Sequence, residues 1–459
     1  MFSVLLAAGI AIWFALLCPL AIRHLAVPRP AENVPLLLPL ALVAVFAFMP
    51  LVFVVPREDG SAVLQEGLTA SNIVTLVLTG LTGLYLAFRI AHRPTVALLP
   101  LAAAYLPFTL MILFDSMSAI WSIVPAYTVY RAAELAIFTT ASILIFDRDD
   151  LASSLRGILV AFILIWLAAV APIIVASLVG GIVFSAAKNN MMPLVCAALM
   201  LLVAFAPPAR YRKSSFALGF VGFVIAGSAA SAGALLAALG PALLIASSRP
   251  ARRLLGWVAA ALVVSGFLTL MVGLSSVPGL VDLLSVVLQK PAVELANATG
   301  RTTFWPTFIA ATRDHVFGSG FSAADRFVQL LIPTSELADT LGKDKIFIAS
   351  SHNMFLSAWA GTGVAGLGFA AVVLGGAVRQ GLRLELGGRR FVVSVVLMLI
   401  LNGMTTPGIF QDWTVNTFAF VAVLAYGRIG TLRHSLVRAA RRDQDPERGF
   451  AAPPRWSAV

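Results

Sequence analysis

The sequence predicts an all-α polytopic integral membrane protein of about 12–13 transmembrane helices, with one large loop outside the membrane. Three observations predict it. Of 459 residues, 60% are hydrophobic and only 12% are charged, whereas a soluble chain carries about 25% charge. Apolar stretches of about 20 residues recur from end to end, the length a helix needs to cross a hydrocarbon core of about 30 Å. Finally, Lys and Arg gather on alternate connections between those stretches, the asymmetry that orients helical membrane proteins.

The first stretch, "MFSVLLAAGIAIWFALLCPLAI", has no positive residue before its apolar run and no small-residue cleavage site after it. It reads as a retained helix rather than a signal peptide. Spans follow near 3–22, 34–55, 71–89, 95–114, 124–146, 155–178, 190–206, 214–227, 229–247, 254–274, 353–378, 391–407 and 414–427. Both cysteines, Cys18 and Cys196, sit inside apolar runs, so no disulfide or metal framework is expected.

Most of the 32 Lys and Arg residues fall in one set of connections, including "RIAHRP", "PPARYRK", "SSRPARR", "RQGLRLELGGRR" and the C-terminal tail. This places the tail in the cytoplasm and, with thirteen spans, the N-terminus outside. The net charge of +11 is explained in the same way, without nucleic acid. The chain divides into N-terminal transmembrane helices (1–274), an outer loop with short amphipathic helices (275–352), C-terminal transmembrane helices (353–431) and a basic tail (432–459).

The outer loop ends in "SSHNMFLSAWAGTGVAGLG". Gly361, Gly363 and Gly366 are spaced like a dinucleotide fingerprint, but that motif must follow a strand and open a helix. Here it lies inside an apolar helix, where small residues allow close packing. His352 precedes that helix. With Ser350 or Ser351 as N-cap, it stands in the first turn, where the helix dipole opposes protonation. A neutral imidazole can then act as general base. On residue chemistry alone, an interfacial histidine hydrogen-bonded at a helix start fits equally well.

Arg301 lies in "NATGRTTFWPTFIAATRDHVFGSGF", which reads as a surface amphipathic helix with Phe304, Trp305 and Phe308 toward lipid. An arginine there can bind a phosphate bidentately, or contact lipid headgroups or cap the helix. Asn297 and Thr299 form a glycosylation sequon of little weight. "DSMSAIWSIVP" sets Asp115, Ser118, Trp121 and Ser122 on one outer connection, and "FSAAKNNMMP" sets Lys188, Asn189 and Asn190 at another. That lysine fits an anionic headgroup or a sugar, and ordinary snorkelling as well. No metal-ligand set is evident on the outer side. Asp314 and Asp325 are the nearest acidic candidates, so a metal-independent mechanism is the simpler expectation.

"MSAIWS", "KNN", "TGRTTFW", "RDHVFGSGF" and "SHNMFLSAWAGTGVAGLG", in that order, resemble the bacterial O-antigen ligase and polymerase superfamily, exopolysaccharide polymerases included. The similarity spans roughly residues 115 to 370. It implies a multi-pass inner-membrane glycosyltransferase with its active site facing the periplasm, needing no cofactor. The donor would be a glycan on undecaprenyl diphosphate; the acceptor would be lipid A core for a ligase, or a carrier-linked glycan for a polymerase. By this resemblance His352 matches the histidine that activates the acceptor hydroxyl, and Arg301 an arginine that binds the diphosphate. Lys188 matches a basic position near the carrier headgroup, with Asn353, Trp121 and Asn189 as candidate substrate contacts. Many relatives carry a Ser-Arg pair where "GSAASAGALLA" stands here without arginine, so Arg131 or Arg313 would have to supply that phosphate contact. Direct attack by the acceptor would invert the anomeric centre. Two other classes compete: a lipid-glycan flippase or transporter, and a non-catalytic scaffold for envelope assembly. Transporters place ionisable residues near the bilayer midplane, whereas this chain is expected to keep its charges at span ends, apart from Arg131.

Overall fold

The computed structural model describes residues 70–146, 151–171, 192–205, 212–226, 229–273, 301–333, 335, 351–406, 408–410 and 413–444. The first two expected spans, the "KNN" segment and the sequon lie outside these residues. Every regular element among the described residues is helical. In order they are α1 (Ala70–His92), α2 (Thr95–Leu98), α3 (Leu106–Met117), α4 (Pro125–Phe146), α5 (Leu151–Ile165), α6 (Met192–Phe205) and α7 (Arg212–Ala226). Then come α8 (Ala229–Ile245), α9 (Pro250–Gly273), α10 (Arg301–Thr312), α11 (Ala323–Arg326), α12 (Met354–Gly381), α13 (Leu386–Gly403) and α14 (Val415–Gln444).

Among the described residues, five helices are long and apolar enough to cross a membrane: α1, α4, α12, α13 and the first part of α14. α13 and α14 form the centre of the bundle, their apolar windows 72% and 78% buried, whereas α1 at 17% lies at its rim. Aromatic side chains knit the centre together. Phe418 on α14 meets Phe146 of α4 and Phe162 of α5, and Phe420 meets Phe108 of α3 edge-on. Because lipid is as apolar as leucine, buried hydrogen bonds and small residues must also hold such helices together. Asn402 on α13 serves this purpose. Its carbonyl accepts from Ser231 of α8 at 3.0 Å, and its amide donates to Asn416 of α14 at 3.3 Å.

Three elements differ from the sequence expectation. The span expected at 95–114 is a broken pair, bent by 95° between residues 101 and 106. Pro100 and Pro107 bracket the bend, where neither can donate a backbone hydrogen bond. The Thr109 hydroxyl then donates to the Pro100 carbonyl at 2.7 Å. α14 continues to Gln444, well past the end of its apolar stretch. Glu134, three residues after Arg131 in the third turn of α4, is 2% exposed, so a carboxylate is buried inside a span. Its charge is met by Arg131 Nη1 at 2.8 Å.

α12 is broken in its upper third. Gly363 has φ 68° and ψ −151°, a conformation open essentially to glycine alone. The break redirects three backbone groups. Val364 N–H donates not to Ala360 but to the Val316 carbonyl at 3.1 Å. The Ala360 carbonyl accepts from Ser319 at 2.7 Å, and the Gly361 carbonyl from Gly320 at 2.9 Å. A loop thus lies directly on the broken helix, its backbone taking up the three groups that the break redirects.

Candidate functional site

The break explains the glycines. A Cβ at Gly363 would collide with the Val316 carbonyl, and one at Gly318 with the backbone of Gly361. The packing reading of Gly361 and Gly363 therefore stands, but their partner is the 316–320 loop rather than a second membrane helix. The connection between α3 and α4 closes over the same loop. Trp121 Nε1 donates to the Phe317 carbonyl at 2.8 Å, Ile123 N–H to Ser319 at 3.0 Å, and the Ser118 hydroxyl accepts from Phe321 N–H at 2.9 Å. Sequence segments separated by some 200 residues meet here through one backbone–backbone and two side chain–backbone hydrogen bonds. Trp121 also packs against Phe114 and Phe317.

His352 stands at the entry to α12. The helix cap is Asn353, not Ser350 or Ser351: its side-chain oxygen accepts from Phe355 N–H at 2.9 Å and Leu356 N–H at 3.2 Å. Asparagine is a strong N-cap because this geometry satisfies two otherwise orphaned donors. The Asn353 amide also reaches the Met404 carbonyl at 3.4 Å. His352 is therefore outside the first turn, half-buried, with φ at 44° in the left-handed region. That conformation costs a non-glycine residue about 1–2 kcal/mol, and such strain persists only where the surroundings over-determine it.

The surroundings do so from both sides. Ser351 N–H donates to Asp325 Oδ1 at 2.6 Å, and the Ser357 hydroxyl to Asp325 Oδ2 at 3.2 Å. Ser351 and Ser357 hydroxyls share a hydrogen bond of 2.9 Å. Trp305 Nε1 donates to the Ser351 carbonyl at 2.7 Å. Asp325, Ser351 and Ser357 are all buried. With Asn353 capping on the other side, His352 is the one half-buried side chain between two pinned residues.

The same geometry locates Arg301. It opens α10, and Trp305 lies one turn on, so the start of α10 is tied to the start of α12. Phe304, Trp305 and Phe308 do not face lipid. They are 2%, 7% and 0% exposed, and they pack with Ala324, Val328 and Ala360 in a small core of their own. Amphipathic patterning could not tell a helix lying on a membrane from one lying on its own protein.

The remaining expected residues separate. Arg131 is engaged by Glu134, and its Nε donates to the Tyr127 hydroxyl at 2.9 Å, with the guanidinium over the Tyr127 and Tyr130 rings. Arg313 is exposed beside Asp314, at 3.8 Å, on the turn after α10. Of the two acidic candidates, Asp314 is in solvent and Asp325 is inside. Lys188 and Asn189 lie outside the described residues. Sequence reasoning missed Ser351, Ser357 and Trp305 as partners of the histidine turn, and Glu134 as the partner of Arg131. The i, i+3 spacing of Arg131 and Glu134 was a readable signal.

Residues 214–371, about a third of the chain, match the family model described as O-antigen ligase. No curated protein and no solved structure matches. The matched segment runs from α7 into α12, so it takes in Arg301, Arg313, Asp325, His352, Asn353 and the break at Gly363. It leaves out Trp121, Arg131, Lys188 and Asn189. The match supports the O-antigen ligase and polymerase superfamily, and implies a glycosyltransferase-like enzyme with lipid-linked glycan substrates.

Proposed function

We propose that the chain is an inner-membrane glycosyltransferase of the O-antigen ligase type. It moves a glycan from undecaprenyl diphosphate to lipid A core at the periplasmic face. The observation that carries this reading is the histidine turn: a half-buried imidazole, held in a strained backbone between two pinned residues, inside the segment that matches the family.

The reaction needs little beyond what these residues supply. Diphosphate is already a good leaving group, so the enzyme must orient two bulky substrates, remove one proton and stabilise charge on the departing oxygens. His352 accepts the proton of the acceptor hydroxyl as that oxygen attacks the anomeric carbon. The bond from that carbon to the diphosphate oxygen breaks, and the electron pair leaves with undecaprenyl diphosphate. Attack opposite the leaving group inverts the anomeric centre. Arg301 and Lys188 hold the diphosphate, and Asn189 lies beside it. In this account Asn353 and Trp121 shape the acceptor side through the cap and the loop they hold. Arg131 and Arg313 have weaker claims as phosphate ligands, since one is paired with Glu134 and the other lies on an exposed turn.

The acceptor distinguishes ligase from polymerase. Purified protein is given carrier-linked glycan with either lipid A core or a second carrier-linked glycan. Extension of lipid A core supports the ligase reading, and extension of the carrier-linked chain alone makes the protein a polymerase. Movement of carrier across the bilayer with neither acceptor extended replaces both with a flippase.

A further inference from the structure

At the end of α12 away from His352 lies a cavity of about 840 Å³, at the upper end of the size range of ligand pockets. Three elements line it: the bend between α2 and α3, the second half of α12, and the part of α14 around residues 424–432. Its apolar lining includes alanines of the bend and Gly375 and Gly376, with nothing within 4 Å of where a Cβ on either glycine would stand. About one turn farther along the chain the cavity carries Arg379 and Arg383, with Arg428 from α14, and among the described residues no carboxylate lines it.

The sequence spacing builds this arrangement. Residues 372, 375, 376 and 379 recur at three- and four-residue intervals on one face of α12, and Arg383 follows in the turn just beyond its end at Gly381. Arg428 is one turn beyond Leu424 on α14, and α14 comes close enough to α12 that a Cβ on Gly427 would stand 2.9 Å from Gln380. Both helices are long and apolar enough to span a membrane, so their bundle offers a trough to acyl chains and its arginines to headgroups. At 1.5 Å per residue, Arg379 is about 24 Å along the helix from the break at Gly363. The cavity is thus separate from the histidine turn.

We propose that this cavity is a binding site for an anionic phospholipid of the adjoining leaflet. The phosphate sits among the three guanidinium groups, and an acyl chain lies along the wall at Gly375 and Gly376. A guanidinium matches phosphate oxygens through two parallel hydrogen bonds, and basic pockets between membrane helices take anionic headgroups. The apolar trough separates a lipid from a free anion, which would engage the arginines alone.

The test titrates the detergent-purified full-length protein with phosphatidylglycerol, phosphatidylcholine or inorganic phosphate and reads bound adducts by native mass spectrometry. Phosphatidylglycerol is expected to bind at least tenfold tighter than phosphatidylcholine. Arg379→Gln/Arg383→Gln/Arg428→Gln should lose that preference, and the matching triple lysine variant should retain most of it, which separates charge from misfolding. Gly376→Leu fills open space and should reduce phosphatidylglycerol adducts at least tenfold. Equal binding of the two lipids by the wild type overturns the proposal, as does an unchanged preference in the glutamine variant. Unchanged lipid binding in Gly376→Leu overturns it as well. Saturation by inorganic phosphate that blocks no lipid adduct would leave an anion site unrelated to lipid, and it too overturns the proposal.

Discussion

Removing the Asp325 carboxylate tests whether the histidine turn is held for a purpose. Asp325→Ala deletes the acceptor for Ser351 N–H at 2.6 Å and for the Ser357 hydroxyl at 3.2 Å. A hydrogen bond to a charged group contributes about 1.5–3 kcal/mol. The short bond falls in that range, and the longer one adds about 1 kcal/mol, for a total of about 3 kcal/mol. The left-handed backbone at His352 costs about 1–2 kcal/mol, so the clamp exceeds the strain while present and cannot offset it once removed. At 1.36 kcal/mol per tenfold, about 3 kcal/mol lowers the equilibrium constant for the competent turn by about 10²-fold. Asp325→Asn keeps a neutral acceptor for Ser351 at about half the strength, and its loss should be near tenfold. The assay is steady-state glycan transfer by purified protein, with kcat and donor KM determined separately. The account expects kcat to fall in the order wild type, Asn, Ala, with donor KM little changed. Wild-type kcat in Asp325→Ala refutes the positioning argument, and a raised KM at unchanged kcat moves Asp325 from positioning to substrate binding.

Three further perturbations bear on neighbouring links. Trp305→Phe keeps the ring in its apolar core but withdraws the donor from the Ser351 carbonyl; transfer should fall about tenfold while Tm in detergent drops only a few degrees, and an unchanged rate would remove Trp305 from the clamp. Gly363→Ala sets a Cβ against the Val316 carbonyl at a backbone conformation alanine avoids; a loss of about 3 kcal/mol or more, read as thermal unfolding of the purified protein, is expected, and a neutral result would mean that the loop does not rest on the helix as described. Arg131→Met leaves Glu134 buried without its cation, which costs about 3–5 kcal/mol; adding Glu134→Gln should restore both stability and transfer if Arg131 is structural, whereas restored stability without transfer would return Arg131 to the diphosphate site.

The helical fold and the place of "SHN" at the entry to α12 were readable because both rest on local pattern. Apolar runs long enough to cross a bilayer leave few alternatives, and a histidine before such a run must sit at its end. What could not be read was how segments far apart in sequence meet. Asp325 carries no periodic signal within "FSAADRF", and its contacts are 26 and 32 residues away in the chain. The bend at Pro100 and Pro107 was visible as composition but was absorbed into a continuous apolar stretch. Phe304, Trp305 and Phe308 were placed on the right helix and given the wrong neighbour, since lipid and protein interior select the same side chains. Ser350 and Ser351 were plausible caps by type, yet Asn353 outcompetes them because its side chain reaches two donors of the first turn.

The central claim is that His352 removes a proton from the acceptor during glycan transfer. The direct measurement is the transfer rate of purified His352→Ala and His352→Gln from undecaprenyl diphosphate-linked glycan, beside wild type, with donor binding measured separately. The account predicts a loss of about 10²–10⁴-fold in rate in both variants, with donor affinity retained. Transfer at the wild-type rate by His352→Ala would contradict it.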